Sequence, residues 1–399
     1  EFIYTGYQFG NYYRLQTKNQ KSKFITPKHE LGESPFRWNW QTPIHLSVHN
    51  QDILYMGSNK LHRSFNRGDA FDVISTDLTA GGRKGDVPFG TLTSIHESPM
   101  KFGLLYTGSD DGLIHISKDG GDSWTRISDS LPQHLYVSRV QASSHVKSRV
   151  YFSLNGYRND HFDSYVYVSD NYGMNFRRLG LNLPKEPVNV IREDPKNPEL
   201  LFVGTDHGVY YSLDRGERFF GLSSELPHVP VHDLRIHPKE SELIIGTHGR
   251  SIYVADVSYL QEMSLENANR ELFVLGIDDV TFSESWGKKA NSYSAIDTPE
   301  YKIQLYTKKA GNLNMKLYFQ EQLLFEKNFV VKAGIQTVNY DLSILPQKED
   351  AFIKLYSKKK TKFTRPPTDN GKLYLAEGKY TLVFTKNGMN VEKELTIKE

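Results

Sequence analysis

Cysteine is absent from this chain of 399 residues. That excludes disulfides, thiolate metal sites and cysteine nucleophiles together, and leaves stability to core burial. An excess of one charge is missing too, with 49 Lys and Arg against 47 Asp and Glu. No overall field draws the chain to nucleic acid or to an anionic membrane, so a partner must be recognised locally. No run approaches the roughly 20 apolar residues of a transmembrane segment. The opening Glu1-Phe2-Ile3-Tyr4 lacks the charged-then-apolar order of a signal peptide, and its start without Met, in strand-like sequence, predicts a processed or incomplete N-terminus. Helix-period apolar stripes are scarce. Aromatic residues are not: 24 Tyr and 22 Phe favour pleated strands and an all-β class. The length exceeds the ~250 to 300 residues at which single cores stop growing, so two domains are expected.

One octapeptide pattern, Ser-x-Asp/Asn-x-Gly-x-x-aromatic, occurs four times. Its fixed positions are Ser64, Asn66, Gly68 and Phe71; Ser117, Asp119, Gly121 and Trp124; Ser169, Asn171, Gly173 and Phe176; and Ser212, Asp214, Gly216 and Phe219. Successive serines lie 53, 52 and 43 residues apart, near the ~40 to 50 residues of a propeller blade. The pattern reads as a hairpin clasp: the Asp or Asn bonds the turn backbone, the Gly accepts positive φ, and the aromatic begins the returning strand and packs inward. These boxes are scaffold rather than catalytic, and their aromatics are expected to be buried equivalents in successive blades.

A second element precedes each box, an apolar run closed by Gly-Ser/Thr and polar residues, as in Leu105-Tyr106-Thr107-Gly108-Ser109-Asp110-Asp111-Gly112 and Leu201-Phe202-Val203-Gly204-Thr205-Asp206-His207-Gly208. A last copy, Leu243 to Arg250, has no box after it and reads as a closing blade. Each repeat then predicts four antiparallel strands. Strand parity puts the clasps and the Asp-Pro turns on one rim, and the Gly-Thr turns and blade connections on the other. The second rim is the mouth where propeller ligands sit. Its binding candidates are Trp40, Asn59, Asp110, Asp111, Arg139, Tyr157, Arg158, Asp206, His207, His232, His248 and Arg250. Two enlarged segments, 155–163 and 80–86, add to it.

With Asn189-Val190-Ile191-Arg192-Glu193-Asp194-Pro195, Pro230-Val231-His232-Asp233-Leu234 and Gly246-Thr247-His248-Gly249-Arg250, these boxes resemble the bacterial, Bacteroidetes-like BNR or Asp-box repeat proteins related to the ten-bladed Vps10/sortilin β-propeller and labelled glycosyl hydrolase-like. The resemblance covers residues 1 to 260 and implies a secreted or cell-surface, outer-membrane-associated protein. Members of that family are commonly longer, with half a propeller ahead of the matching segment. The expectation is about five complete blades between Pro43 and Val257 plus an N-terminal part-blade, belonging to a larger ring whose other half, or an envelope complex, is the partner, with a glycan as the other partner class; the alternative is that the leftover N-terminal strands close a small ring alone.

Residues 1–257 are thus expected as the propeller segment, 258–270 as a short helical linker and 271–399 as a β-sandwich. In the last, Tyr301 to Tyr306 and Leu313 to Phe319 alternate, and Asn387-Gly388 marks a hairpin. Its strands resemble immunoglobulin-like modules that end secreted bacterial proteins, and more distantly type IX secretion tail domains. The basic run from Lys358 to Arg365 reads as a solvated hairpin tip.

A glycosidase needs two carboxylates ~5 to 10 Å apart across a sugar, for which Asp110 and Asp206 are the candidates. Turn aspartates after Gly-Ser/Thr ordinarily bond backbone instead. The Phe/Tyr-Arg-Ile-Pro start of sialidases is missing, and no metal-ligand spacing or phosphate-cradling loop stands out, so no metal or cofactor is expected. The leading function is a binding or scaffold module for protein, peptide or glycan on the face opposite the boxes; the alternative is a glycoside hydrolase-like enzyme.

Overall fold

The computed structural model describes every residue except 86, 223–225 and 359–365. The chain is all-β, and it forms two compact units, Glu1–Glu262 and Met263–Glu399.

The first unit is built of propeller blades. Blade I has strands Ile44–Leu46, Leu54–Gly57, Leu61–Ser64 and Asp72–Val73, and blade II has Leu92–Glu97, Leu105–Ser109, Ile114–Ser117 and Thr125–Arg126. Blade III has Tyr136–Ala142, Val150–Asn155, Tyr165–Ser169 and Arg177–Arg178, and blade IV has Val188–Glu193, Leu201–Thr205, Gly208–Ser212 and Phe220–Gly221. The fifth sheet stops at three strands, Val231–Ile236, Glu242–Thr247 and Ile252–Asp256. Second strands such as Leu201–Thr205 are buried throughout because a blade lies against each face, whereas outermost strands such as Thr125–Arg126 are exposed.

Each box closes its hairpin with the same three bonds. In blade IV, Ser212 Oγ donates to Asp214 Oδ1 (2.8 Å), the Gly216 N–H donates to Ser212 Oγ (2.8 Å) and the Arg218 N–H to Asp214 Oδ1 (2.9 Å). Asn66 and Asn171 serve as well as Asp, since only the side-chain oxygen is used. The clasp glycine, at positive φ, lies on an apolar side chain that ends the preceding sheet: Ile74 beneath Gly121, Ile127 beneath Gly173 and Leu179 beneath Gly216. Ile25 lies in the same way beneath Gly68. The N-terminal sheet of Phe2–Tyr7, Asn11–Gln16 and Ser22–Phe24 is therefore the second, third and outermost strands of a blade ahead of blade I. Those strands pair with one another, not with the fifth sheet.

The box aromatics depart from expectation. Only Phe219 is buried; Phe71, Trp124 and Phe176 are half-buried. They cap the seam between blades from the solvent side, as when Trp124 Nε1 donates to Ile74 O of the preceding blade (2.8 Å).

Buried glutamates lock the blades in pairs. Glu193 of blade IV accepts from Ser143 Oγ (2.8 Å), the Ser144 N–H (2.7 Å) and Tyr151 OH (3.0 Å) of blade III. Glu97 of blade II takes Ser47 Oγ and Tyr55 OH of blade I in the same manner. Ser47, Tyr55 and Glu97 each recur 96 positions later as Ser143, Tyr151 and Glu193, so a two-blade repeat underlies the one-blade repeat.

The expected linker is two short helices. Ser258–Gln261 belongs with the propeller, where Gln261 Nε2 donates to Asp194 Oδ2 (2.7 Å) and buried Leu260 packs; Leu265–Asn269 belongs to the second unit. That unit packs a three-stranded sheet (Leu272–Val274, Tyr301–Thr307, Gly334–Tyr340) on a five-stranded one ordered Val280–Thr281, Met389–Lys398, Gly378–Lys386, Gly311–Phe319, Gln322–Val331. Inward residues of both, including Ile303, Leu305, Met315, Leu317, Leu382 and Phe384, form one core. Asn387 and Gly388 sit at φ 49° and 79°, as a two-residue hairpin turn requires. A helix, Glu349–Tyr356, precedes the basic run, and Lys359 to Arg365 of that run lie outside the described residues.

Candidate functional site

Hydrogen bonds sort the turns onto two rims. Box residues bond the turns between first and second strands, as Arg67 N does to Asp52 O and Arg215 N to Glu199 O. The Gly-Thr turns bond the connections on the opposite rim, as His248 N does to Pro230 O.

On that mouth, much of the expected set is committed to holding connections. Asp110 is buried; its Oδ1 accepts the N–H groups of Gly90 (3.0 Å) and Thr91 (2.9 Å), and its Oδ2 accepts Thr91 Oγ1 (2.7 Å). Burial raises its pKa, with those bonds opposing. Asp111 Oδ2 likewise accepts the Ala80 N–H (2.7 Å), and Asn59 Oδ1 the Arg37 N–H (3.0 Å). These side chains hold the connections in place, and both Asp110 oxygens are engaged in doing so.

Blades III and IV supply a cavity of 410 Å³ lined by Tyr157, Phe162, Lys185, Glu186, Pro187, Asp206, His207, His228 and Pro230. The long 155–163 turn, which includes a short 3₁₀ turn at Tyr157–Asn159, brings the exposed rings of Tyr157 and Phe162 edge to face at 6.1 Å. In the same lining the buried Glu186 holds the exposed His207 by Oε2 to Nδ1 (2.5 Å) and accepts Tyr210 OH at Oε1 (3.1 Å). Burial, then the Glu186 charge, pushes the Tyr210 hydroxyl up to about 12. Asp206 Oδ1 accepts Asn189 Nδ2 (2.9 Å), and Asn189 Oδ1 accepts Asn155 Nδ2 (2.7 Å), a chain that ties the turns of the two blades together.

Of the expected residues, this cavity gathers Tyr157, Asp206 and His207. His232 and His248 stack on each other at 5.2 Å, and burial followed by the His248 charge lowers the pKa of His232 against the opposing pull of Asp206. Arg158 lies over the Tyr136 ring (5.0 Å), Trp40 meets Phe9 edge-on (5.2 Å), and Arg250 is exposed. Arg139 is not a rim residue: on the inner strand, its Nη2 pairs with Asp233 Oδ1 (2.8 Å). Phe162, Lys185, Glu186 and His228 were missed. Phe162 stood in the enlarged turn already singled out, but Glu186 lies in a blade connection with no local signal that it would meet a histidine 21 residues on.

A second cluster sits on the inner strands. Arg139 and Arg192 both reach Asp233 Oδ1 (2.8 and 2.9 Å), and Arg235 Nε approaches Oδ2 (3.7 Å). Burial alone would raise Asp233, but the three guanidiniums outweigh it and hold its pKa down. Beside them, His45 and His96 pack at 5.1 Å. Among the described residues no group of three or more His, Asp or Glu could hold a metal ion, and no helix is long and apolar enough to cross a membrane.

No protein-family model and no curated protein matches the chain. Solved structures similar to it include the GH74 xyloglucanase from Xanthomonas campestris, 16% identical with a TM-score of 0.48 over 64% of this chain and 43% of that one. The Niastella koreensis GH74 enzyme is 13% identical with a TM-score of 0.49 over 98% and 63% of the two chains. PorZ of Porphyromonas gingivalis, described as an essential surface component of the type IX secretion system, is 12% identical with a TM-score of 0.47 over 100% and 58%. The chain thus spans less than half the length of the first of these and less than two thirds of the other two. The functional reading rests on this chain's own residues.

Proposed function

We propose that this chain is a secreted or cell-surface binding module, related to the Asp-box, sortilin-type propellers, that recognises a peptide or protein segment in the mouth cavity of blades III and IV. The observation that carries this is the pairing of two exposed aromatic rings, Tyr157 and Phe162, with a fixed acid and imidazole, Glu186 and His207, across one 410 Å³ cavity. Rigid aromatics bury large area at small entropic cost, and a few fixed polar groups then orient the ligand. The C-terminal sandwich serves as a docking or spacing unit.

Glycoside hydrolysis is the second reading, favoured by the presence of two carboxylates, Glu186 and Asp206, in the same cavity. Against it, both oxygens of Glu186 have partners already, and one oxygen of Asp206 is held by Asn189. A general acid or nucleophile needs a carboxyl oxygen free to meet the sugar. Selecting a peptide library on the immobilised chain, alongside a turnover screen with aryl glycosides and polysaccharides, separates the two. Enriched peptides that no longer bind Tyr157→Ala support the binding module. Turnover abolished by Asp206→Asn would overturn it.

A further inference from the structure

The four seams between blades I to V are built to one plan, and the fifth blade carries the same parts on a face that no further blade covers among the described residues of its unit. On the second strand of a blade, a glycine faces a residue at the start of the next inner strand. A Cβ on Gly57 would lie 3.0 Å from Leu92, one on Gly108 2.3 Å from Val137 and one on Gly204 2.8 Å from Val231; Ser153 holds this place in blade III. Gly246 is the next of the series. The three atoms nearest its Cβ position all belong to Asp233 of its own blade, none closer than 3.5 Å.

Each inner strand also sends a polar side chain to the backbone of the strand that follows. His45 Nε2 accepts the Glu97 N–H (3.3 Å), His96 Nδ1 the Ala142 N–H (3.2 Å) and Gln141 Oε1 the Glu193 N–H (3.2 Å), while Arg192 Nε donates to Leu234 O (2.6 Å). Arg235 comes next; its side chain is 63% exposed, and its ion-pair contact is with Asp233 of its own strand, at 3.7 Å.

Cross-strand pairing puts Asp233, Arg235, Ile244, Gly246, Ile252 and Val254 on one face of the fifth blade. In blade IV the matching face is buried, with Val209 at 4% and Tyr211 at 1% exposure; Ile252 and Val254 are 69% and 58% exposed. The other face of the fifth blade, with Leu234, Leu243 and Ile245, is buried against blade IV as in every preceding seam.

We propose that this face is a docking site for a β-sheet of a partner polypeptide whose leading strand reads Val/Leu-x-Asp/Glu-Leu/Ile. The first residue sits over Gly246, as Val231 sits over Gly204. The acid meets Arg235, as Asp233 meets Arg192. Charge argues for that acid, because Arg139, Arg192 and Arg235 share the single carboxylate of Asp233, and a second carboxylate at Arg235 completes the set. This site is separate from the mouth cavity.

The test uses the full chain and a fluorescein-labelled, backbone-cyclised hairpin with the sequence Val231 to Thr247, which presents the required leading strand. Fluorescence anisotropy should show saturable binding, weakened about ten-fold by Arg235→Ala or by Asn at the hairpin position that copies Asp233, and abolished by Gly246→Val, which fills the cradle. Gly246→Val has room at its own position, so its thermal unfolding should match that of the parent chain. Tyr157→Ala should leave hairpin binding unchanged, which keeps this result distinct from the mouth. Three results overturn the proposal: no saturable binding, binding indifferent to Gly246→Val and Arg235→Ala, or a homodimer in sedimentation that Gly246→Val dissociates, since a second copy would then be the occupant.

Discussion

Placing alanine at three equivalent glycines tests the seam geometry quantitatively. None of Gly108, Gly204 and Gly246 is at positive φ, so alanine fits the backbone of each and the difference lies in what its methyl meets. At Gly108 the methyl would stand 2.3 Å from Val137 Cγ1, and at Gly204 2.6 Å from Val190 Cγ1 and 2.8 Å from Val231 Cγ1. Contacts this short force the two blades apart, and overpacking of that kind costs about 1 to 3 kcal/mol. Replacing glycine by alanine also removes freedom from the unfolded chain, worth about 0.4 to 1 kcal/mol in the other direction. Gly108→Ala should therefore lose about 1 to 2 kcal/mol net and Gly204→Ala a similar or smaller amount. Gly246→Ala meets no atom closer than 3.5 Å and should be neutral or gain up to about 1 kcal/mol. Guanidinium unfolding followed by tryptophan fluorescence reads the difference directly. In thermal unfolding it corresponds to about 2 to 4 °C per kcal/mol for a unit of this size. Equal destabilisation at Gly108 and Gly246 would refute the argument that the seam of blades II and III is closed and the last face open.

Ser212→Ala removes the acceptor of the Gly216 N–H and a donor to Asp214, and calorimetry should show a loss of about 1 to 2 kcal/mol. Trp124→Ala should cost about 2 to 3 kcal/mol, less than a fully buried tryptophan, because the ring caps a seam and its firm hydrogen bond is to Ile74 O; chemical denaturation checks this. Burial holds His45 and His115 neutral with pKa values lowered to about 4, His62 to about 3, and His96 well below 6.5. Each is depressed relative to the unfolded value of 6.5, so its stability is complete above pH 6.5 and is lost as pH falls toward 4 and then 3. The unfolding midpoint should drop over that window, and His96→Gln should make the drop shallower; an unchanged slope contradicts the assignment. Asp110→Asn should lower the melting temperature by weakening the charge-assisted bonds from Gly90 and Thr91, with peptide binding at the mouth measured by anisotropy unaltered.

Local chemistry was legible in the sequence; chemistry assembled through space was not. The clasps could be read because Ser, Asp or Asn, and Gly act within eight residues of one another, and strand parity then sorted the rims. The burial of Phe71, Trp124 and Phe176 was overestimated because the pattern shows where an aromatic starts a strand but not which blade it leans on. Asp110 and Asp206 occupy the same turn position in blades II and IV. They differ only in their neighbours: Gly90 and Thr91 wrap the first, while the long 155–163 turn opens a cavity beside the second. Glu186 and Asp233 lay beyond inference, since each takes its role from residues in other segments, His207 for one and Arg139 and Arg192 for the other. The open face of the fifth blade was half legible: the missing box showed that Leu243 to Val254 was a last sheet, but only the geometry at Gly246 and Arg235 defines what that sheet lacks.

The most direct measurement for the binding-module reading is the Kd of a library-selected peptide for the parent chain, Tyr157→Ala and Phe162→Ala, with thermal unfolding recorded on each. Both rings are exposed, at 62% and 45%, so removing either should leave the melting temperature unchanged while weakening binding by ten-fold or more, the cost of about 1.4 kcal/mol or more in lost aromatic contact. Affinity that survives both substitutions would contradict recognition at the mouth of blades III and IV.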